Sequence, residues 1–210
     1  GTPSDKNGAD FIIEMARKYT GKLEILSLGP LTDVALALEK APEIANAIAC
    51  VTVMGGGIHA GNATKYAEFN IVADPEAASV VFSSGVKTAM IGLDATNLCY
   101  QPRSDIELLR APTELGKIVP AMLSSYADVY RQVHNIDGMM IHDAICAVYL
   151  WRPELFTCMK CRMTVCLEDG EHLGQTIPED GDTCLAATSC DAQAVRNELL
   201  AVMQQVVAAH

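Results

Sequence analysis

Residues 54–75 read MGGGIHAGNATKYAEFNIVADP and follow an apolar run at Ile48–Val53, so three consecutive glycines, two asparagines, a glutamate and an aspartate share one connector. Glycine opens backbone conformations closed to other residues and lets a ligand approach the main chain. A long polar loop on an apolar scaffold is more often a binding site than a plain turn. Glu68 and Asn70 stand two apart, so in an extended segment both face one side while Phe69 turns into packing. A carboxylate and a carboxamide on one side of a pocket suit sugar hydroxyls, which donate and accept. The competing reading is a solvated loop in which Glu68 caps nothing and Asn70 makes a turn; the glycine triplet weighs against it. Asn62 sits in Gly61-Asn62-Ala63, which by itself is an ordinary turn.

Further along, His142-Asp143 opens an apolar helix. The helix dipole alone favours an aspartate there, so a structural role competes with a chemical one. His134 ends a long helix, where the dipole favours an imidazole, and packing leads there too. Tyr126 and Tyr130 share a face of that helix, which also points to packing. His59 and His172 lie in loops and carry no spacing signal. Gly55-x-Gly57-x-x-Ala60 faintly echoes a dinucleotide fingerprint, but that motif needs a helix opening directly beneath it. None is expected before Asp74.

The elements that must position these residues alternate between two periodicities. Helical spacing is expected over Asp10–Tyr19, Leu31–Lys40, Pro42–Ala47 and Pro75–Ser84, with Asp74 as a cap and Pro75 at the first helical position. Buried strands are expected at Leu23–Leu28, Ala49–Met54 and Lys87–Leu93. From Pro102 the chain reads as mainly helical, with a long helix over about Thr113–His134 and another over His142–Trp151. Strands at Phe156–Glu168 and Asp182–Ser189 flank a hairpin with Asp169-Gly170, and a capped helix over Asp191–Ala209 closes the fold. Strand–helix–strand alternation means an α/β protein with a mostly parallel sheet and helices on both faces. In such sheets ligands gather at the carboxyl ends of the strands, where Leu28-Gly29-Pro30 and Met54–Gly57 fall.

At 210 residues, half of them apolar, the chain suits a single domain over 1–210 with a sizeable core. A net charge of −11 argues against nucleic acid and against an anionic membrane surface, and favours a small neutral or cationic ligand. No apolar run reaches the ~18 residues of a bilayer span, and GTPSDKNGADF carries no signal-peptide pattern. Of eight cysteines only Cys158 and Cys161 form a CxxC, with no second half of a zinc set. Free thiols in a reducing cytoplasm are expected.

Four segments together resemble the inosine–uridine-preferring nucleoside hydrolases: SLGPLTDVALAL (27–38), VTVMGGGIHAGNATKYAEFNIVADPEAASVVFSSG (51–85), MIGLDATN (90–97) and IHDAICAVYL (141–150). The pyrimidine-preferring bacterial branch is the most similar, through a strand-rich insertion before the final helix. The resemblance implies a Rossmann-like fold and hydrolysis of a ribonucleoside to free base and ribose by a calcium-activated water. It implies that Asp143 and the Leu28 backbone carbonyl are Ca2+ ligands. Asn62 and Glu68 would hold the ribose 5′-hydroxyl, Asn70 a 2′/3′-hydroxyl, and Met54 would lie along the sugar. His142 would face the nucleobase. His134 stands about where pyrimidine-preferring relatives carry a tyrosine, so it counts among the substrate-binding residues and base preference stays open. A homo-oligomer, dimer or tetramer, is expected as well, because a sheet short of strands would bare a pairing edge.

One family feature is not found in these residues, the aspartate cluster DxDxxxDD on the first strand. Its first strands are therefore expected to be missing and the Ca2+ site incomplete, since a hard cation takes six to eight oxygens. The chain reads as a partial copy with impaired hydrolysis, or alternatively as a non-catalytic nucleoside- or ribose-binding remnant.

Overall fold

A computed structural model describes residues 5–209; Gly1–Ser4 and His210 lie outside the described residues. The first helix, α1 (Gly8–Lys18), starts where Asn7 Oδ1 accepts the Asp10 N–H at 2.9 Å, satisfying one of the amides a helix start leaves unpaired. Then follow β1 (Leu23–Ser27), α2 (Thr32–Lys40), a 3-10 turn at Pro42–Asn46, and β2 (Ile48–Val53). After the glycine-rich loop come α3 (Phe69–Ala73), α4 (Pro75–Ser83), β3 (Thr88–Met90) and α5 (Leu93–Thr96). Asp74 caps α4 as its sequence foretells, accepting the Ala77 N–H at 3.1 Å. The expected strand Lys87–Leu93 is shorter than predicted, because Leu93 already donates to the Gly56 carbonyl at 2.9 Å and α5 begins there.

The second half holds β4 (Gln101–Pro102), α6 (Ser104–Glu107), α7 (Leu115–His134), β5 (Gly138–Met139), α8 (His142–Val148), β6 (Phe156–Val165), β7 (Thr176–Cys190) and α9 (Ala192–Ala209). Pro120 lies inside α7 and has no N–H to give the Gly116 carbonyl. That carbonyl instead accepts from the Ala111 N–H at 3.3 Å.

Packing gathers the chain into two compact units. The first runs to Asp94 and adds Thr157–Ser189. Its five-stranded sheet has the order β1-β2-β3-β7-β6, with β1, β2, β3 and β7 paired parallel in turn. Ile13, Leu38, Ile44, Val51, Val53, Ile71, Phe82 and Met163 lie in its core. A parallel sheet covered by helices explains why β2 and β3 read as apolar runs rather than as alternating ones.

The second unit comprises Ala95–Phe156 and Cys190–His210. A small cluster of Ile106, Ala127 and Met139 with Leu123, Tyr130 and Ile141 lies between α6, α7 and β5. Arg196 of α9 grips Asp105 of α6 with two parallel bonds at 2.6 and 2.7 Å, and Asp105 is buried. Trp151, just past α8, donates its indole N–H to Glu198 of α9 at 3.0 Å. Among the described residues no helix is long and apolar enough to cross a membrane.

Candidate functional site

The loop at Met54 begins where β2 ends, beside the carboxyl end of β1. The Met54 N–H donates to the Ser27 carbonyl at 2.8 Å, so the loop starts one strand away from Leu28. Gly56 has φ of +74°, and a Cβ there would meet Met90 Sδ at 2.8 Å, so no other residue fits without strain. Gly57 is held from both sides by one hydroxyl: Thr176 Oγ1 accepts its N–H at 3.1 Å and donates to its carbonyl at 3.0 Å. Asp94 then takes the next two amides, Ile58 N–H at 2.6 Å and His59 N–H at 2.9 Å. Carboxylates accept such charge-assisted bonds more strongly than neutral groups do. The loop's shape is therefore fixed by side chains distant in sequence.

The expectation for Glu68-Phe69-Asn70 needs correcting. The segment is not extended: Phe69–Ala73 is a helix and Glu68 is its N-cap. Glu68 is 3% exposed, and its Oε2 accepts from Asn70 N–H at 2.9 Å, Gly56 N–H at 3.1 Å and Ile71 N–H at 3.2 Å. Phe69, expected to pack inward, is 64% exposed. The reason is backbone satisfaction: three amides on two segments need an acceptor, and a buried carboxylate supplies one for all three. Asn70 donates from Nδ2 to the Met54 carbonyl at 3.0 Å, with Met54 Sδ at 3.5 Å, so the carboxamide is aligned with Met54. Asn62 is exposed, and its Oδ1 accepts the Phe69 N–H at 2.8 Å. The loop's far side is braced by the β6–β7 hairpin, where His172 stacks on Tyr66 with ring centroids 4.0 Å apart.

His142, Asp143 and His134 belong to the second unit. His142 and Asp143 occupy the first turn of α8. His142 Nδ1 lies 2.8 Å from Thr96 Oγ1, and burial holds the imidazole pKa below its usual value. Burial also raises the Asp143 carboxyl above the usual carboxylate range. His134 ends α7, its ring 4.9 Å from that of Tyr130, and Tyr130 meets Tyr126 edge-on at 5.0 Å. Both tyrosine hydroxyls reach toward the Met140 carbonyl, at 3.4 and 3.5 Å, just ahead of α8. Packing thus accounts for the tyrosine pair.

The structure brings Met54, Glu68, Asn70 and Asn62 into one hydrogen-bonded cluster. Asp94, Thr96 and Thr176 complete these networks, and sequence reasoning assigned them no role. Asp94 and Thr96 fall in MIGLDATN, so that segment was the available signal, whereas Thr176 follows a hairpin with no motif. Among the described residues, no group of three or more His, Cys, Asp or Glu could hold a metal ion.

A mostly parallel sheet with a polar, glycine-rich loop at its strand ends is the arrangement in which α/β proteins commonly hold small ligands. The model of the inosine-uridine preferring nucleoside hydrolases matches residues 1–198, and the chain belongs to that family. It is 36% identical over 185 residues to a non-specific ribonucleoside hydrolase, RihC, of Escherichia coli, covering 88% of this chain and 59% of that protein. It is 33% identical over 179 residues to a probable uridine nucleosidase 1 of Oryza sativa, covering 84% of this chain and 55% of that one. Among solved structures, a purine-preferring ribonucleoside hydrolase from Gardnerella vaginalis superposes with a TM-score of 0.95 at 30% identity, covering 100% of this chain and 69% of that one. The chain spans little more than half the length of these curated relatives.

Proposed function

We propose that this chain carries the nucleoside-handling part of a ribonucleoside N-glycosidase, whose reaction is nucleoside plus water to free base plus ribose. The observation that carries the reading is the locked loop from Met54 to Asn70. Its backbone is fixed by Glu68, Asp94 and Thr176 before any ligand arrives, so little ordering entropy remains to oppose binding. In this reading the loop grips the ribose: Asn62, Glu68 and Asn70 address its hydroxyls and Met54 lies along the ring. Glycosidic cleavage passes through an oxocarbenium-like state, and many fixed contacts to the sugar favour that geometry.

His142 has the role of attending the departing base. Its lowered pKa keeps the ring neutral near pH 7. If the Thr96 hydroxyl donates to Nδ1, the ring proton sits on Nε2, a hydrogen-bond donor toward an acceptor on the base. His134 is assigned to base contact and left without a stated preference among bases.

Calcium is the metal the family resemblance implies, and it would supply an activated water. The oxygens assigned to it here are the Leu28 carbonyl and the Asp143 carboxylate. Six to eight are needed, so the described residues do not fit a calcium cage. That shortfall favours a second reading, nucleoside binding with impaired turnover or none. Incubation with uridine and inosine in millimolar calcium, followed by product chromatography, separates the two. Free base and ribose support hydrolysis, saturable binding without products supports the second reading, and failure to bind either nucleoside overturns both.

A further inference from the structure

Cys99 and Cys190 meet inside the second unit with their sulfurs 3.3 Å apart. A disulfide needs about 2.05 Å, so closure asks for roughly 1.3 Å of approach between the sulfurs. Cys99 is fully buried in the turn after α5, and Cys190 is partly exposed at the last position of β7. Both lean on the same acceptor, the Ala95 carbonyl, at 3.9 Å from Cys99 and 3.4 Å from Cys190. We propose that Cys99 and Cys190 are an oxidisable dithiol, a modification site that a peroxide converts to an intramolecular disulfide. The partly exposed Cys190 is the attacking group: its thiolate displaces hydroxide from hydrogen peroxide and becomes a sulfenic acid. The Cys99 sulfur then attacks that sulfur, the S–S bond forms, and water leaves; two thiols and one peroxide give one disulfide and two waters. The hydrogen bond from Cys99 lowers the Cys190 pKa and raises that of Cys99, which fits this division of labour.

A second pair supplies an internal contrast. Cys161 and Cys184 also interact, but both are 1% exposed, and burial pushes Cys184 up to about 12. A thiol kept protonated and sealed from solvent does not react with peroxide at neutral pH. The Cys99–Cys190 bond would have a local effect. It ties the turn after α5 to the start of α9, and Thr96, whose hydroxyl holds His142 Nδ1, stands three residues before Cys99.

The reduced chain, treated with a small excess of hydrogen peroxide, then denatured, alkylated, digested and sequenced by mass spectrometry, provides the test. Six of the eight thiols should alkylate, and a Cys99–Cys190 linked peptide, two hydrogens lighter and released by dithiothreitol, should appear. Eight alkylated thiols, a bond at Cys161–Cys184 or a link between two chains would each overturn the proposal. In Cys99→Ser, Cys190 should stop at a sulfenic acid that dimedone traps, while Cys190→Ser should slow peroxide consumption at least tenfold. The map of the unaltered protein decides the matter even if a variant fails to fold.

Discussion

A single carboxylate oxygen organises the loop: Glu68 Oε2 serves three amides at once. Glu68→Ala would leave those N–H groups buried and unpaired, so a loss of about 3 kcal/mol is expected in urea unfolding. Glu68→Gln keeps one acceptor oxygen and should cost about 1 kcal/mol, with nucleoside affinity falling in both variants. At His142 the linkage has a definite sign. Burial lowers the folded-state pKa below its usual value of 6.5, so below that pH the unfolded chain binds the proton first. This histidine's contribution is thus present above about pH 6.5 and lost as pH falls toward the folded pKa. Titration of the ring resonances by NMR should give a midpoint below 6.5; a midpoint above it would contradict the burial argument.

At the scale of elements, the pair of buried Asp105 and partly exposed Arg196 fastens α6 to α9. Asp105→Ala removes two charge-assisted bonds and leaves the guanidinium to water, and should cost about 2–3 kcal/mol by chemical denaturation. Thr176→Val removes the two-way bond from β7 to Gly57 and should cost about 1–2 kcal/mol, less than the ion pair because both lost bonds are neutral. Most elements were legible in the sequence because their signals are local: Asp74-Pro75 capping α4, apolar β-branched runs for β2, and long 3.6-residue periodicity in α7 and α9. The five-residue helix α3 was not. It is too short for periodicity, and a glutamate is an unusual cap, chosen here because it also reaches Gly56. The site shows the same limit. Met54, Asn62, Glu68 and Asn70 lie in one stretch that the family resemblance picks out, but Asp94 and Thr176 act across 36 and 119 residues of chain, a relation no local pattern encodes.

On the scale of the whole molecule, the charge of −11 decides which ligands can approach. A neutral nucleoside meets no long-range repulsion, whereas a nucleoside monophosphate does. Uridine should therefore bind more tightly than its 5′-phosphate, and the gap should narrow as salt rises from ~0.01 to ~0.2 M and the Debye length shrinks. Isothermal titration at both ionic strengths tests this, and a salt-independent gap would point to a steric cause instead.

The indole of Trp151, bonded to Glu198, has an optical consequence. It is the chain's one tryptophan, and it lies in the second unit. Tryptophan emission during denaturation is therefore a view through one window, while far-ultraviolet circular dichroism, weighted by helices and strands throughout, watches the whole building. Overlaid curves would mean that the two units melt together, and separated curves would time the departure of each.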